Sequence, residues 1–346
     1  MCNIAGYVGN RRAAPILIEM LRRQEMYDGG GGAGIATVDN GKLYMRKTIG
    51  SVEDLVKNTD ALDLPGTVGI IHTRPGGKPE TFIHPHMSED GMLAMVQNGD
   101  VYIDKYFDQR NEGARKAEKN GYKYVACAGG NSAYPRLSDN TNVAIAEACA
   151  HLTAMYRKEG YSYSEALAKA NDDEYAQLVS VMLTANDPDK IRALRITSAM
   201  FAMVGEGETF IATCPYAFDD GPFAPCFCLP ELSVCEISGT GVHITPYRVK
   251  TEPIAPTNPR TYEIAVPLVE NYLREAKEKG GVYFTDIELL LIKYKDVLFN
   301  GGYTYTQHAR VGYDVLCQLD REGKIKSEVR LNPEGTRRLR YMWIDN

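Results

Sequence analysis

A chain of 346 residues with 44% hydrophobic side chains carries enough apolar mass for one large domain and a smaller one, and needs no disulfide scaffold to fold. A formal net charge of -6 excludes general electrostatic capture of nucleic acid or an anionic membrane, because both require a broad positive field. A small molecule or a protein is the expected partner.

The start, MCNIAGYVGNRRAAP, lacks the apolar core and cleavage site of a secretory signal, and no later stretch stays apolar for about 18 residues. Eight cysteines scattered along the chain suit a reducing compartment, so the expected location is the cytoplasm.

Asn3 to Val8 reads as a short strand with Cys2 at its mouth, and Ala13 to about Arg23 as an amphipathic helix with Ile16, Leu17, Met20 and Leu21 on one face. After the glycine run Gly29 to Gly32, apolar residues alternate around Asn40-Gly41, a tight-hairpin signal, and residues 52–58 predict a helix. GTVGIIHTR and GMLAMVQNGD are apolar runs ending in the polar tips Thr73-Arg74 and Asn98-Gly99, as expected of buried strands that open onto a site.

A helix is expected over 102–120, a strand at YKYV, and a helix through SDNTNVAIAEACAHLTAMYRK with Ser138 or Asp139 as its cap. From there strands and hairpins should dominate: QLVSVMLTAN, KIRALRITS, AMFAMVGEGETFIATC and LSVCEISGTGVHITPYRV, with turns at Gly205-Glu206-Gly207 and Gly239-Thr240-Gly241. Helices between layers of strands imply a stacked α/β sandwich.

Proline-rich EPIAPTNPR predicts a connector with a boundary near Pro259, dividing residues 2–255 from 260–346. Beyond it, AVPLVENYLREAKEKGG, Asp286 to Phe299 and Thr306 to Asp320 predict helices. KIKSEVRLNPEGTRRLRYMWID predicts a two-stranded wing with a Pro-Glu-Gly turn. Together they are expected to form a small winged-helix-like domain. Arg330, Arg337, Arg338 and Arg340 on the wing leave DNA binding open, but acidic residues nearly balance them, which favours docking to a protein or homo-oligomer formation.

An N-terminal cysteine supplies both halves of a nucleophile–base pair. Its thiol attacks, and its freed α-amine, with a reference pKa of about 7.7–8.0, relays the proton. Cys2 acquires that chemistry on loss of Met1, which a small second side chain permits. Attack on an amide builds an oxyanion, for which the Asn98 amide and the Gly99 backbone N–H are candidate donors, and Arg74 is a candidate fork for a substrate carboxylate. His84 and His86, two apart and without nearby carboxylate or thiol spacing, do not make a metal site, and Cys226 and Cys228 lack the spacing of a zinc or redox motif. No cofactor is expected.

Cys2 with IAGYVG, AAPILIEMLRR, AGIATVDNGKL, GIIHTR, HPH and QNG follow the order and approximate spacing of the class II glutamine amidotransferases. The chain resembles their glutaminase domains over about residues 2–245, most closely up to about residue 100. The resemblance implies an α+β, four-layer αββα sandwich of the N-terminal nucleophile hydrolase type. It also implies hydrolysis of glutamine to glutamate and ammonia through a Cys2 thioester. By that analogy Asn98 and Gly99 form the oxyanion hole, Arg74 binds the glutamine carboxylate, His86 lies near the pocket, and Asn140 stands where an aspartate meets the substrate ammonium.

The departures are specific. Asn3 replaces the usual glycine after the nucleophile, Tyr27-Asp28 and the glycine run replace an Arg-Gly-Tyr-Asp-Ser stretch, and Pro75-Gly76-Gly77 replaces Trp-Ala-Thr-His-Gly. Fewer than about 90 residues follow the connector, too few for a typical acceptor domain, so ammonia is expected to pass to a separate synthase or acceptor protein. Two alternatives stand beside this reading: a catalytically degenerate binding or regulatory relative, and an N-terminal-nucleophile hydrolase of a different amide.

Overall fold

The computed structural model describes residues 2–76, 79–100, 106–128, 134–174, 177–248, 254–301, 306–331 and 337–345. Among the described residues one sheet has seven strands: β1 (Asn3–Val8), β2 (Gly32–Asp39), β3 (Lys42–Ile49), β4 (Val68–Arg74), β11 (Phe201–Val204), β12 (Thr209–Ala212) and β13 (Cys226–Cys228). They are ordered β13-β11-β12-β1-β4-β2-β3. A second sheet contains β5 (His86–Met87), β6 (Leu93–Asp100), β9 (Gln177–Thr184), β10 (Lys190–Arg195), β14 (Ser233–Ser238) and β15 (Gly241–Pro246), ordered β15-β14-β10-β9-β6-β5.

The period of two along each strand sends one set of side chains between the sheets and the other toward helices. Ile4, Val8, Ile70, Val96, Val181, Ile191 and Ile237 fill the layer between the sheets. The outer face of the first sheet is covered by α1 (Ala13–Asp28) and α2 (Val52–Asn58), and that of the second by α3 (Phe107–Lys119), α4 (Ile145–Lys158) and α5 (Tyr163–Glu174). The order of layers is αββα.

α1 runs a turn past the expected end at Arg23. Gln24 interrupts the apolar pattern, yet it is buried and its amide donates to the Ile4 carbonyl at 3.0 Å, so a polar residue continues the inward face. YKYV forms no strand; a two-residue strand β7 (Cys127–Ala128) follows it and pairs with β8 (Asn142–Val143). α4 begins at Ile145 with Ala144 as its cap, so the expected cap at Ser138 or Asp139 is corrected. Asp139 instead accepts from the Thr141 N–H at 2.8 Å, a local turn that competes with helix initiation.

α5 occupies a stretch, between the helix ending at Lys158 and the strand from Gln177, to which no element was assigned. Its buried positions, Ala166, Leu167, Ala170, Asn171 and Glu174, keep a helical period through small and polar residues that carry little hydrophobic signal. The start was legible: Ser162 and Glu165 bond each other's backbone N–H reciprocally, as Ser-x-x-Glu does at a helix N-terminus.

The remaining elements are α6 (Pro259–Glu275), β16 (Val282–Tyr283), α7 (Phe284–Lys293), α8 (Lys295–Leu298), α9 (His308–Arg321), β17 (Ile325–Leu331) and β18 (Arg337–Trp343). α6 starts earlier than expected because Asn258 caps it and Pro259 takes the first helical position, where its missing N–H costs nothing. The expected helix from Asp286 to Phe299 is two helices separated at Tyr294. β18 pairs with β17 on one side and β16 on the other, giving a three-stranded sheet. The Pro-Glu-Gly turn lies outside the described residues.

This C-terminal unit shares a core with α1. The buried Tyr27 ring lies 5.6 Å from Tyr216, 6.1 Å from Phe284, 5.8 Å from Tyr313 and 6.3 Å from Tyr341 between centroids. Phe284 stacks on Tyr313 at 4.0 Å. Among the described residues no helix is long and apolar enough to cross a membrane.

Candidate functional site

Strand alternation brings the chemistry to one end of the layer between the sheets. In β1, Ile4 and Val8 face that layer while Ala5 and Tyr7 face α1, so Cys2, two residues before Ile4, falls on the inter-sheet side. In β4, Val68 and Ile70 face the same layer, which puts His72 and Arg74 there and turns Thr73 toward α1. In β6, Ala94 and Val96 set the same parity for Asn98, while Gln97 points to α5.

Register aligns these ends. Asn3 pairs with Thr73 and Ile4 with His72, which sets Cys2 beside the end of β4. Across the sandwich the Asn98 amide donates to the Cys2 carbonyl at 2.6 Å, joining the tip of β6 to the residue that precedes β1. Asn98 is held from behind: the Gln97 amide donates to Glu174 at 3.1 Å and to the Ser180 hydroxyl at 2.9 Å. Gly99 has φ +145°, a conformation open to glycine and strained for other residues.

Asn3 does not crowd the nucleophile. It is buried on the α1 face, and its amide donates to the Asp28 carbonyl at 3.0 Å. Arg74 donates to the Phe82 carbonyl at 3.4 Å, and its Nε is buried without a hydrogen-bond partner. Burial raises the Cys2 thiol, while the positive charges of the chain's amino terminus and Arg74 pull it back.

Behind Arg74 lies a histidine group of which spacing along the chain gave only a weak metal motif. His72 stacks on His84 at 4.2 Å, and His84 meets His86 edge-on at 4.7 Å. The Gln97 N–H donates to His84 Nδ1 at 3.1 Å, so the His84 proton sits on Nε2. Burial lowers all three, His72 to about 3, and each is a neutral imidazole at neutral pH. Both ring nitrogens of His72 and Nε2 of His86 are buried without a hydrogen-bond partner. Lys47, lowered to about 8 by burial, adds a further polar group nearby. Among the described residues no group of three or more histidine, cysteine or acidic side chains has the arrangement of a metal site. The signal for His72 was present: it shares the strand face of Arg74.

Asn140 is exposed, with φ +68°, on a turn before β8 and not at a helix start. Asp139 beside it is exposed as well. The eight cysteines are all free; Cys127 is exposed, and Cys226 and Cys228 are half-buried. Gly77 of the altered loop lies outside the described residues.

No family model matches the chain. It is 31% identical over 221 residues to a glutamine–fructose-6-phosphate aminotransferase [isomerizing] of Pyrococcus horikoshii, a match covering 63% of this chain and 33% of that protein. The protein of the same name from Aquifex aeolicus is 32% identical over 238 residues, covering 65% and 36%, and that of Rhizobium meliloti 31% over 248 residues, covering 70% and 36%. The chain thus spans about a third of the length of these curated relatives. Its fold is similar to the glutamine phosphoribosylpyrophosphate amidotransferase of B. subtilis, with a TM-score of 0.55 at 18% identity over 72% of this chain and 50% of that one. A structure described as the allosteric regulatory enzyme of purine biosynthesis gives 0.56 at 17% identity with the same coverage.

Proposed function

We propose that this chain, a class II glutamine amidotransferase of the N-terminal nucleophile kind by its sequence relatives and its fold, hydrolyses the side-chain amide of glutamine to glutamate and ammonia at Cys2. The observation that carries the reading is the bond from Asn98 to the Cys2 carbonyl, with Arg74 on the same inter-sheet face.

Loss of Met1 moves the amino terminus onto Cys2, next to the thiol it serves. The thiol proton passes to that amine as sulfur attacks the amide carbon. The oxyanion accepts hydrogen bonds from the Asn98 amide and the Gly99 N–H, positioned by the Gln97–Glu174 anchor and by a backbone that glycine alone adopts readily. The amine returns the proton to the leaving ammonia, and water then hydrolyses the thioester. The unpartnered Arg74 Nε suits a substrate carboxylate, which fixes the end of the molecule that faces Cys2. His86 is a wall of the neutral imidazole group behind Arg74, and Asn140, exposed on a turn before β8, stays a candidate for the substrate ammonium.

In this reading the ammonia passes to a synthase-like acceptor, the setting is cytoplasmic, and residues 260–346 are a winged-helix-like unit for docking or dimerising. Purified protein releases glutamate from glutamine, and Cys2→Ala abolishes release; intact mass reports whether Met1 has been removed. Equal turnover by Cys2→Ala overturns the proposal. A second reading, a relative that binds an amino acid without turnover, is favoured by the burial that raises the Cys2 thiol. A protein that binds glutamine yet forms no adduct with a glutamine-mimicking electrophile decides for it.

A further inference from the structure

Among the described residues, Arg338 carries a contact of the C-terminal unit to the rear of the candidate pocket. Arg338, on β18 and mostly buried, donates from Nη1 to the Gly29 carbonyl at 3.1 Å, and its Nη2 lies 3.6 Å from the Asp28 carboxylate. Asp28 and Gly29 form the junction where α1 ends and the glycine run begins.

That run is pressed against the backbone on both sides of Arg74. The Gly30 N–H donates to the Thr73 hydroxyl at 3.0 Å, and the Gly31 N–H to the Arg74 carbonyl at 2.8 Å. A Cβ on Gly29 would fall 2.7 Å from the Thr73 methyl, and one on Gly31 would fall 2.6 Å from the Gly76 nitrogen, so a side chain at either place forces the two segments apart. The Asp28 carbonyl also receives the amide of Asn3, the residue after Cys2. The segment that Arg338 grips therefore contacts the neighbours of both the nucleophile and the carboxylate-binding arginine.

We propose that Arg338 is a positioning residue for the substrate-carboxylate pocket, so that the C-terminal unit completes a site whose reacting groups all lie in the αββα sandwich. The proposal rests on the reading of Arg74 as the carboxylate-binding group. Arg338 touches no reacting atom; it fixes the 28–31 backbone against which Arg74 is set. The second anchor of that backbone is Tyr27, packed on Phe284, Tyr313 and Tyr341 of the same unit. Loosening the first anchor alone shifts Arg74 without removing it, which weakens glutamine binding more than it slows the chemistry at Cys2.

The test uses the full chain with Arg338→Ala, Arg338→Lys and, as a control for surface charge, Arg337→Ala. Arg338→Ala raises KM for glutamine about 10-fold to 100-fold, as small misplacements of a positioning group do, and leaves kcat within about threefold. Arg338→Lys keeps a charge near Asp28 without the fork and falls between wild type and alanine. Arg337→Ala leaves KM unchanged. Hydrogen exchange supplies a readout that needs no turnover: the Gly30 and Gly31 amides exchange faster in both Arg338 variants. Unchanged KM in Arg338→Ala, or unchanged exchange at those two amides, overturns the proposal. Absence of turnover in the wild type defeats the glutaminase reading instead, and the exchange measurement still decides whether Arg338 holds the run.

Discussion

Replacing Asn98 with alanine separates the two tasks assigned to that side chain. The amide donates to the Cys2 carbonyl at 2.6 Å in the resting site, and in the reaction it serves the oxyanion. Loss of one oxyanion donor costs about 2.7–4 kcal/mol of transition-state stabilisation, or about 10²–10³ in kcat. Loss of the resting bond costs about 1 kcal/mol of folding stability, a shift of a few degrees in Tm for a chain of this size. KM for glutamine stays within about threefold, because Arg74 and its supports on the neighbouring sheet are untouched. Glutamate release under steady-state conditions gives kcat and KM, a thermal melt gives stability, and alkylation of Cys2 checks that the nucleophile is still in place. A variant that retains more than about a third of wild-type kcat, with normal folding, refutes the assignment of Asn98 to the oxyanion.

Arg74→Ala produces the complementary pattern: each charge-assisted bond is worth about 1.5–3 kcal/mol, so KM rises at least about 10-fold while kcat at saturation falls less, and unchanged KM would count against the carboxylate role. The same variant removes a positive charge that lowers the Cys2 thiol, so the pH dependence of Cys2 alkylation moves to higher pH. Glu174→Gln tests stability against pH. Burial raises the Glu174 carboxyl from 4.5 to about 8, so its contribution is complete below about pH 4.5 and is lost as pH rises toward 8. Denaturant unfolding should find Glu174→Gln more stable than wild type at pH 8.5 by up to a few kcal/mol, since each tenfold change in proton affinity between folded and unfolded chain is worth about 1.4 kcal/mol, with little difference near pH 4.5. A constant difference across that range removes Glu174 as the source.

The parts of the site on continuous apolar strands were legible because a period of two dictates which residues share a face: Cys2, Arg74 and Asn98 meet once β1, β4 and β6 are placed. The hairpin at Asn40-Gly41 was equally plain, being written in turn chemistry, whereas the Asn258 cap that starts α6 was passed over among the prolines. The start of α4 was misplaced because a local Asp139–Thr141 turn resembles a helix cap, and the helix begins only at Ile145. Helix α5 was missed because its inward face is built largely from alanines and from Asn171 and Glu174. Arg338 was beyond the reach of spacing, since its contact with Gly29 joins residues 309 positions apart.

The ring of aromatic side chains around Tyr27 bears on how this architecture can be trimmed or exchanged. A chain ended at the connector would leave Tyr27 without Phe284, Tyr313 and Tyr341, exposing the flank of the helix that lies over the nucleophile strand. Each large aromatic group contributes several kcal/mol where it is fully enclosed, so the front half would lose both rigidity and solubility. Any module grafted in place of this tail would have to bring its own hydrophobic cup for that tyrosine.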